Sequence, residues 1–345
     1  MLSFYIKGLA LVFSIVPPYF RSSNREHKQA SPVTNPSSKK VIYAALAGNA
    51  LIAVTKFSAA AYTGSSAMLS EAIHSLVDTG NQLLMLYGMR RASQPADRLH
   101  PFGYGMELYF WTFVVAILIF AIGGSISVYE GVSKLSSPHP VENVVVNYVV
   151  LGAAMIFEAI AWWIAFKEFR RSKGDLGYFE AVRRSKDPTI FTVLFEDTAA
   201  MLGLIVAFIG LYLGEVLNLP ILDAVASIVI GVVLGLTAVL LAYESKGLLI
   251  GEAARGDVVD GIRGIVEDDG RINHINEVLT MHMGPRDVLL NLSIDFDQSL
   301  DSSALQRAIS EFEARVKQDF PIVTRIFIEA QSRAGHDAAQ RVTES

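Results

Sequence analysis

The chain contains no cysteine. That absence excludes disulfides and thiolate metal ligands, so a borderline metal would have to be held by His, Asp and Glu, with or without water. Charge is scarce as well: 18% of residues are Asp, Glu, Lys or Arg, where a soluble globular chain carries about a quarter. No basic excess exists. The formal net charge is −5, so nothing global points to nucleic acid as a partner. Two catalytic signatures are missing too. There is no HExxH and no GxSxG, and "IGGSIS" at 122–127 does not have the form of a nucleophile elbow.

What the 345 residues do have is apolar sequence, 52% of the total, gathered in blocks. That arrangement predicts a polytopic membrane protein. Six segments reach the ~20 residues a span requires. They lie near 41–63, 67–90, 107–131, 144–168, 189–213 and 221–244. Beyond about Gly251 charge rises and apolar runs shorten, which marks a domain boundary.

Basic residues set the expected orientation. Lys and Arg collect before the first segment (Arg21, Arg25, Lys28, Lys39, Lys40), between the second and third (Arg90, Arg91, Arg98), and between the fourth and fifth (among them Arg170, Arg171, Lys173 and Lys186). The opposite loops offer essentially only Lys134. Both ends, and the tail with them, are therefore expected on the cytoplasmic side of a bacterial inner membrane, or on the equivalent side of an organellar membrane.

Residues 1–40 are expected to be a disordered or surface-lying extension. "LALVFSIV" is too short to span, and an organellar presequence is the alternative. In the tail, 251–332, Val258, Val259, Ile262, Ile265 and Val266 share a helical face. "EVLTMHM" and "LLNLSIDF" read as strands joined by a turn at "GPRD". Leu305, Ile309, Phe312 and Val316 form a second helical stripe capped by Asp301 or Ser302, and "VTRIFIEA" is a third strand. The order αββαβ predicts a small two-layer α+β domain. Residues 333–345 are expected to be a disordered tail.

The chemistry concentrates in "SEAIHSLVDTGNQ", residues 70–82, inside the second apolar block. Residues four apart on a helix share a face, so His74 and Asp78 project into one space. Imidazole nitrogen with carboxylate oxygen makes half of a Zn²⁺ site. The fifth block supplies "LFEDTAAMLG", with Glu196 and Asp197 adjacent in apolar surroundings. Two charged neighbours in low dielectric repel, and a divalent cation would relieve them. A lone membrane histidine is often a packing residue; Asp78 at i+4 and a second acidic block shift the balance to a metal. Lys56, Glu107, Glu158 and Asp223 read as structural or near-interface groups, and Gly231 with Gly235 as a close-packing face.

With "GSSAMLSEAIHSLVDTGNQ", "DRLHPFGYGMELYFW", "EDTAAMLG" and the αββαβ tail together, the sequence resembles the cation diffusion facilitators, the zinc-transporter-like solute carriers, over about 41–332. The resemblance implies an all-α, six-helix transmembrane domain at 41–250 and a ferredoxin-like α+β cytoplasmic domain. It implies a homodimer that exchanges a divalent cation for protons and needs no cofactor. His74 and Asp78 match the family's second-span ligands. In the fifth span the family's pattern is His-x-x-x-Asp; Asp197 takes the Asp place, but Val193 stands where the His belongs. Glu196 substitutes if the helix is rotated or unwound; otherwise water completes the shell. Asp97 and His100 match a loop that holds a second, weaker site in some members, or else they cap and anchor the loop. No strong site is expected in the tail, where His274 and His282 stand apart.

The resulting expectation is a proton-coupled exporter. An imidazole titrates near about 6.5, so His74 can trade a proton for a cation, and alternating access would carry the site between faces. Zn²⁺ is the expected ion; the oxygen-rich donor set leaves Mn²⁺, Fe²⁺ and Co²⁺ open. A membrane-embedded, metal-dependent hydrolase and a membrane scaffold are the competing functions.

Overall fold

The computed structural model describes residues 36–136, 140–173 and 177–343. The expected 1–40 extension lies almost wholly outside them. Residues 36–43 open helix α1, and Ala44 onward belongs to one compact unit. Six long helices occur where six apolar blocks were expected: α1 (Pro36–Thr63), α2 (Ser66–Ala92), α3 (Glu107–Ser136), α4 (Val144–Ser172), α6 (Pro188–Val216) and α7 (Ile221–Leu249), with a short α5 (Tyr178–Arg184) before α6. Four of the described helices, α3, α4, α6 and α7, are long and apolar enough by composition to cross a membrane. Polar residues are what lower the hydropathy of α2: Glu71, His74, Asp78, Asn81 and Gln82 all stand on it. Lys56, Glu71 and His74 are buried inside the protein rather than facing outward.

The outer surface of the bundle is apolar. Ile156, Phe157, Ile160 and Ile164 stand exposed on α4, and Leu236 and Val239 on α7. Such faces suit hydrocarbon, not water. The inner faces are built from small residues and aliphatics. Helix α3 carries a π-helical stretch at Ile119–Gly124, the "IGG" of the sequence. It brings Gly124 so close to α7 that an added Cβ would lie 3.2 Å from the Gly231 carbonyl oxygen; a Cβ on Gly231 would lie 2.8 Å from that of Gly124. These two glycines let α3 and α7 touch backbone to backbone.

One end of the bundle is tied by charge. Lys134 at the end of α3 pairs with Asp223 in the first turn of α7 (2.8 Å) and donates to the Gly64 carbonyl (2.7 Å). Asp223 also accepts from Ser65 Oγ, Ser66 N and Ser66 Oγ at 2.5, 2.7 and 2.8 Å. Ser65 is in turn the N-cap of α2, accepting from Met68 N. The "GSS" before the chemistry-bearing stretch therefore fixes where α2 begins.

The tail contains α8 (Gly256–Glu267), β1 (Ile272–Gly284), β2 (Asp287–Phe296), α9 (Ser302–Asp319) and β3 (Val323–Ala330). This is the expected αββαβ order. The sheet runs β1-β2-β3, antiparallel then parallel, and α9 is the crossover that a parallel pair requires. Val288, Leu290, Leu292 and Ile294 alternate inward against Val258, Ile262, Val266, Phe312 and Val316. Asp301 is the cap of α9, accepting from Ala304 N. Strand β1 begins at Ile272, five residues before the expected "EVLTMHM". Asn273, His274 and Asn276 hid it from a hydrophobic pattern, because an edge strand tolerates polar residues.

The last segment differs from expectation. Arg333–Thr343 form helix α10 rather than a disordered tail. Its start is held by Ser332, whose Oγ accepts from Gly335 N, and by Asp295 of β2, which accepts from Arg333 N at 3.1 Å. A polar helix with so few apolar residues gives little hydrophobic signal; its anchors are the hydrogen bonds.

Candidate metal centre in the helical bundle

Glu71, His74, Asp78 and Asn81 follow one another at intervals of three, four and three, so they form a single stripe along α2. Sequence reading found the middle two. It missed Asn81 as a participant, although the i+7 spacing from His74 was there to be read. Helix α2 packs against α3, α6 and α7, so the stripe is enclosed by other helices.

His74 is 1% exposed, and neither ring nitrogen has a hydrogen-bond partner. Its Nε2 lies 3.5 Å from Asp78 Oδ2, too long for a good hydrogen bond. Asp78 Oδ1 is buried and unpartnered as well. The next turn toward the N-terminus is different. Lys56 of α1 reaches Glu71 Oε2 (3.0 Å) and Ser75 Oγ (2.9 Å). The other Glu71 oxygen points at α6, where a Cβ on Gly203 would meet it at 2.3 Å. Glycine at 203 is what leaves room for that carboxylate.

Across from this stripe, α6 presents Glu196. It is buried, and its Oε1 accepts from Asn81 Nδ2 at 2.9 Å. Val193, in the place where the resemblance would put a histidine, packs against the apolar core. Asp197 is half-buried. Asp78 lies within electrostatic reach of Glu196, Glu158, Asp197 and Lys56, and Asp197 is likewise felt by Glu158 of α4 and by Glu196. The structure thus gathers His74, Asp78, Glu196 and Asp197 into one region between α2 and α6. It does not draw them into a tight shell: among the described residues no three His, Asp or Glu groups converge closely enough to hold a metal ion.

Asp97 and His100 sit apart, in the loop between α2 and α3. Asp97 accepts from Leu99 N, His100 N and Tyr104 OH. The Tyr104 hydroxyl, ahead of the backbone amides, holds the Asp97 carboxyl below its ordinary pKa. His100 lies over the Tyr104 ring, 4.2 Å between centroids, with Nδ1 3.4 Å from Asp97. The neighbouring Pro101 carbonyl accepts from Arg325 of β3, whose guanidinium lies over Phe102. Here Asp97 organises a turn and the loop rests on the tail domain. In the tail, His274 is exposed, while His282 is buried with Nδ1 3.0 Å from the Gly284 carbonyl.

Comparison with known proteins bears on the helical part directly. The sequence pattern of the cation efflux transmembrane domain matches residues 42–250. The chain belongs to the cation efflux family. This agrees with the resemblance to the cation diffusion facilitators. Among curated relatives, the chain is 33% identical to the human (Homo sapiens) protein named proton-coupled zinc antiporter SLC30A9, mitochondrial, over 75% of this chain and 46% of that one. Metal tolerance protein C4 of Arabidopsis thaliana is 28% identical over 77% of this chain and 58% of its own. Cation-efflux pump FieF of Shigella flexneri is 25% identical over 81% and 87%. The chain spans about half the length of the first of these. A multi-pass integral membrane protein is thereby established, and the family is one of transporters rather than enzymes, which removes the hydrolase alternative.

Proposed function

We propose that the chain is a secondary active transporter that exports a divalent cation, Zn²⁺ foremost, from the cytoplasm in exchange for protons. The observation that carries this reading is His74: an imidazole buried in the bundle, without a hydrogen-bond partner, beside Asp78, which is itself within electrostatic reach of the acidic turn of α6. Buried polar groups are normally satisfied, and one that is not asks for an explanation, of which a bound ion is one. The relatives' names support a metal, and for one of them zinc and a proton couple.

The exchange follows from electrostatics. Lys56 is already paired with Glu71, so its single charge cannot balance Asp78, Glu158, Glu196 and Asp197 as well. Crowded carboxylates in hydrocarbon are costly unless a cation or protons accompany them. Metal binding requires deprotonated ligands and releases their protons; reprotonation from the other face would then expel the ion. The open spacing of the groups suits a site that must assemble on one side and loosen on the other as helices rock. Six spans with both ends cytoplasmic, and pairing of two copies, complete the proposal. Some relatives carry mitochondrial in their names, which supports an organellar membrane beside the bacterial inner membrane. The imidazole favours Zn²⁺ over Mn²⁺, while the carboxylates would also accept Mn²⁺, Fe²⁺ or Co²⁺.

The test is uptake into proteoliposomes loaded with a metal indicator, under an imposed pH gradient. Zn²⁺ should accumulate against protons, and collapsing the gradient should slow it. No movement of any of the four metals with a gradient present would defeat the proposal.

A further inference from the structure

Glu158 reads from the sequence as a structural or near-interface group. Its place in the fold says otherwise. On α4 the residues Leu151, Ala154, Glu158, Trp162 and Phe169 recur at helical intervals. Leu151, Ala154 and Phe169 are buried, and Trp162 donates from Nε1 to Thr198 Oγ1 on α6 at 3.0 Å. Glu158 therefore lies on the face of α4 that is tied to α6 one residue from Asp197. Phe157 and Ile160 beside it are exposed on the outer surface, so the carboxyl is turned away from the apolar side. Glu158 is within electrostatic reach of Asp78 and Asp197. Among the described residues neither Glu158 nor Asp197 has a hydrogen-bond or ion-pair partner.

Glu196 is placed differently. Its Oε1 is engaged by Asn81, so it bridges α2 to α6. Glu196 was the candidate to make up for Val193, and one of its oxygens is engaged in holding α2 to α6. The buried and unpartnered His74 and Asp78 Oδ1 mark the same region as one that receives a ligand.

We propose that Glu158 is a binding residue for the transported cation, so that the cation's path is bounded by α2, α4 and α6, with Glu158 supplying a carboxylate oxygen alongside Asp78 and Asp197. The inference rests on the transport reading. It assigns Glu196 to bridging rather than to the ion. A carboxylate on the outermost of the three helices would also move with α4 when the helices rock, which changes the donor set between the two faces.

The experiment measures Zn²⁺ binding to the full chain in nanodiscs by competition with a fluorescent chelator, together with proteoliposome uptake and thermal melting. Glu158→Gln keeps shape and hydrogen bonding but removes the charge. It should weaken Zn²⁺ binding by about tenfold or more while melting as the wild type does, and Glu158→Asp should recover most of the loss. Glu196→Gln should bind Zn²⁺ far more nearly like wild type. Zn²⁺ binding by Glu158→Gln as tight as by wild type would overturn the inference. So would a loss that appears equally in Glu158→Asp together with a lowered melting temperature, since that is the mark of packing. A wild type that moves no metal sinks the transport reading itself; a wild type that moves Zn²⁺ while Glu158→Gln is indifferent sinks only this inference.

Discussion

Two ionic centres lie in the same helical bundle, and they are finished to different degrees. At the Lys134–Asp223 clasp both carboxylate oxygens are occupied, by one ammonium, two serine hydroxyls and a backbone amide. No side-chain atom of Lys134, Asp223, Ser65 or Ser66 is buried without a partner. In the His74–Asp78 region both imidazole nitrogens, one Asp78 oxygen and one Asn81 oxygen are. A polar group removed from water and left unbonded costs on the order of 1–3 kcal/mol. The clasp avoids that cost within the fold. The other centre leaves those atoms open within the fold. Saturation sets the clasp apart, and the open positions of the second region are those the proposed cation would fill.

The sharpest way to break this comparison is to remove one carboxylate from each. Asp78→Ala should reduce metal uptake to the background of empty vesicles while the protein still folds and melts close to wild type, and Asp197→Ala should do the same. Uptake at the native rate in folded Asp78→Ala protein would refute the metal reading of α2. Asp223→Ala should act in reverse order, on stability first. It leaves Lys134 buried without its counter-charge, a defect of about 3–5 kcal/mol. The double change Lys134→Met with Asp223→Leu should cost less than Asp223→Ala alone, because no charge is stranded. Equal melting temperatures for Asp223→Ala and wild type would show that the clasp is not structural. A smaller effect is expected from His74→Asp, which keeps a ligand but hardens it, so Mn²⁺ should gain on Zn²⁺ in competition uptake. An unchanged preference would mean that His74 does not touch the ion.

Much of this architecture was legible from periodicity. Six apolar blocks gave six long helices at nearly their expected bounds, and alternation in "LLNLSIDF" gave β2 with its inward residues. The pair His74 and Asp78 was legible because an i, i+4 spacing has only one geometric meaning on a helix. What escaped was whatever depends on the neighbour of a helix rather than on its own period. Asp223 read as a structural or near-interface group, but which partners it ties together was visible only once Ser65, Ser66 and Lys134, distant in sequence, were seen around it. That Asn81 donates to Glu196 across the α2–α6 boundary was not legible either, because the two residues are far apart in sequence. The face of α4 that carries Glu158 became readable only once Trp162 was seen bonded to Thr198 of α6. In the tail, α10 escaped because hydrogen bonds to Asp295 and Ser332 anchor it, and hydrophobic patterning is blind to those.

The tail domain supplies a graded case between the two centres. His282 is buried like His74, but its Nδ1 has one partner, the Gly284 carbonyl, at 3.0 Å. Burial holds its pKa below the ordinary histidine value; the Gly284 carbonyl, Glu252 and Asp287 work against that and Lys186 with it. An unfolded histidine titrates near about 6.5. Between the lower folded value and that point the unfolded chain binds more protons, so stability is lost as pH falls below about 6.5. The full-length protein in nanodiscs should therefore lose more melting temperature from about pH 7.5 to about pH 5.5 than the His282→Gln variant does. The difference should be the smallest of the effects predicted here, since the imidazole already has one hydrogen bond and the domain keeps its apolar core. Parallel pH dependences for wild type and His282→Gln would mean that a single carbonyl partner is enough to make a buried imidazole indifferent to pH. The contrast between satisfied and unsatisfied groups would then have to be drawn between one partner and none.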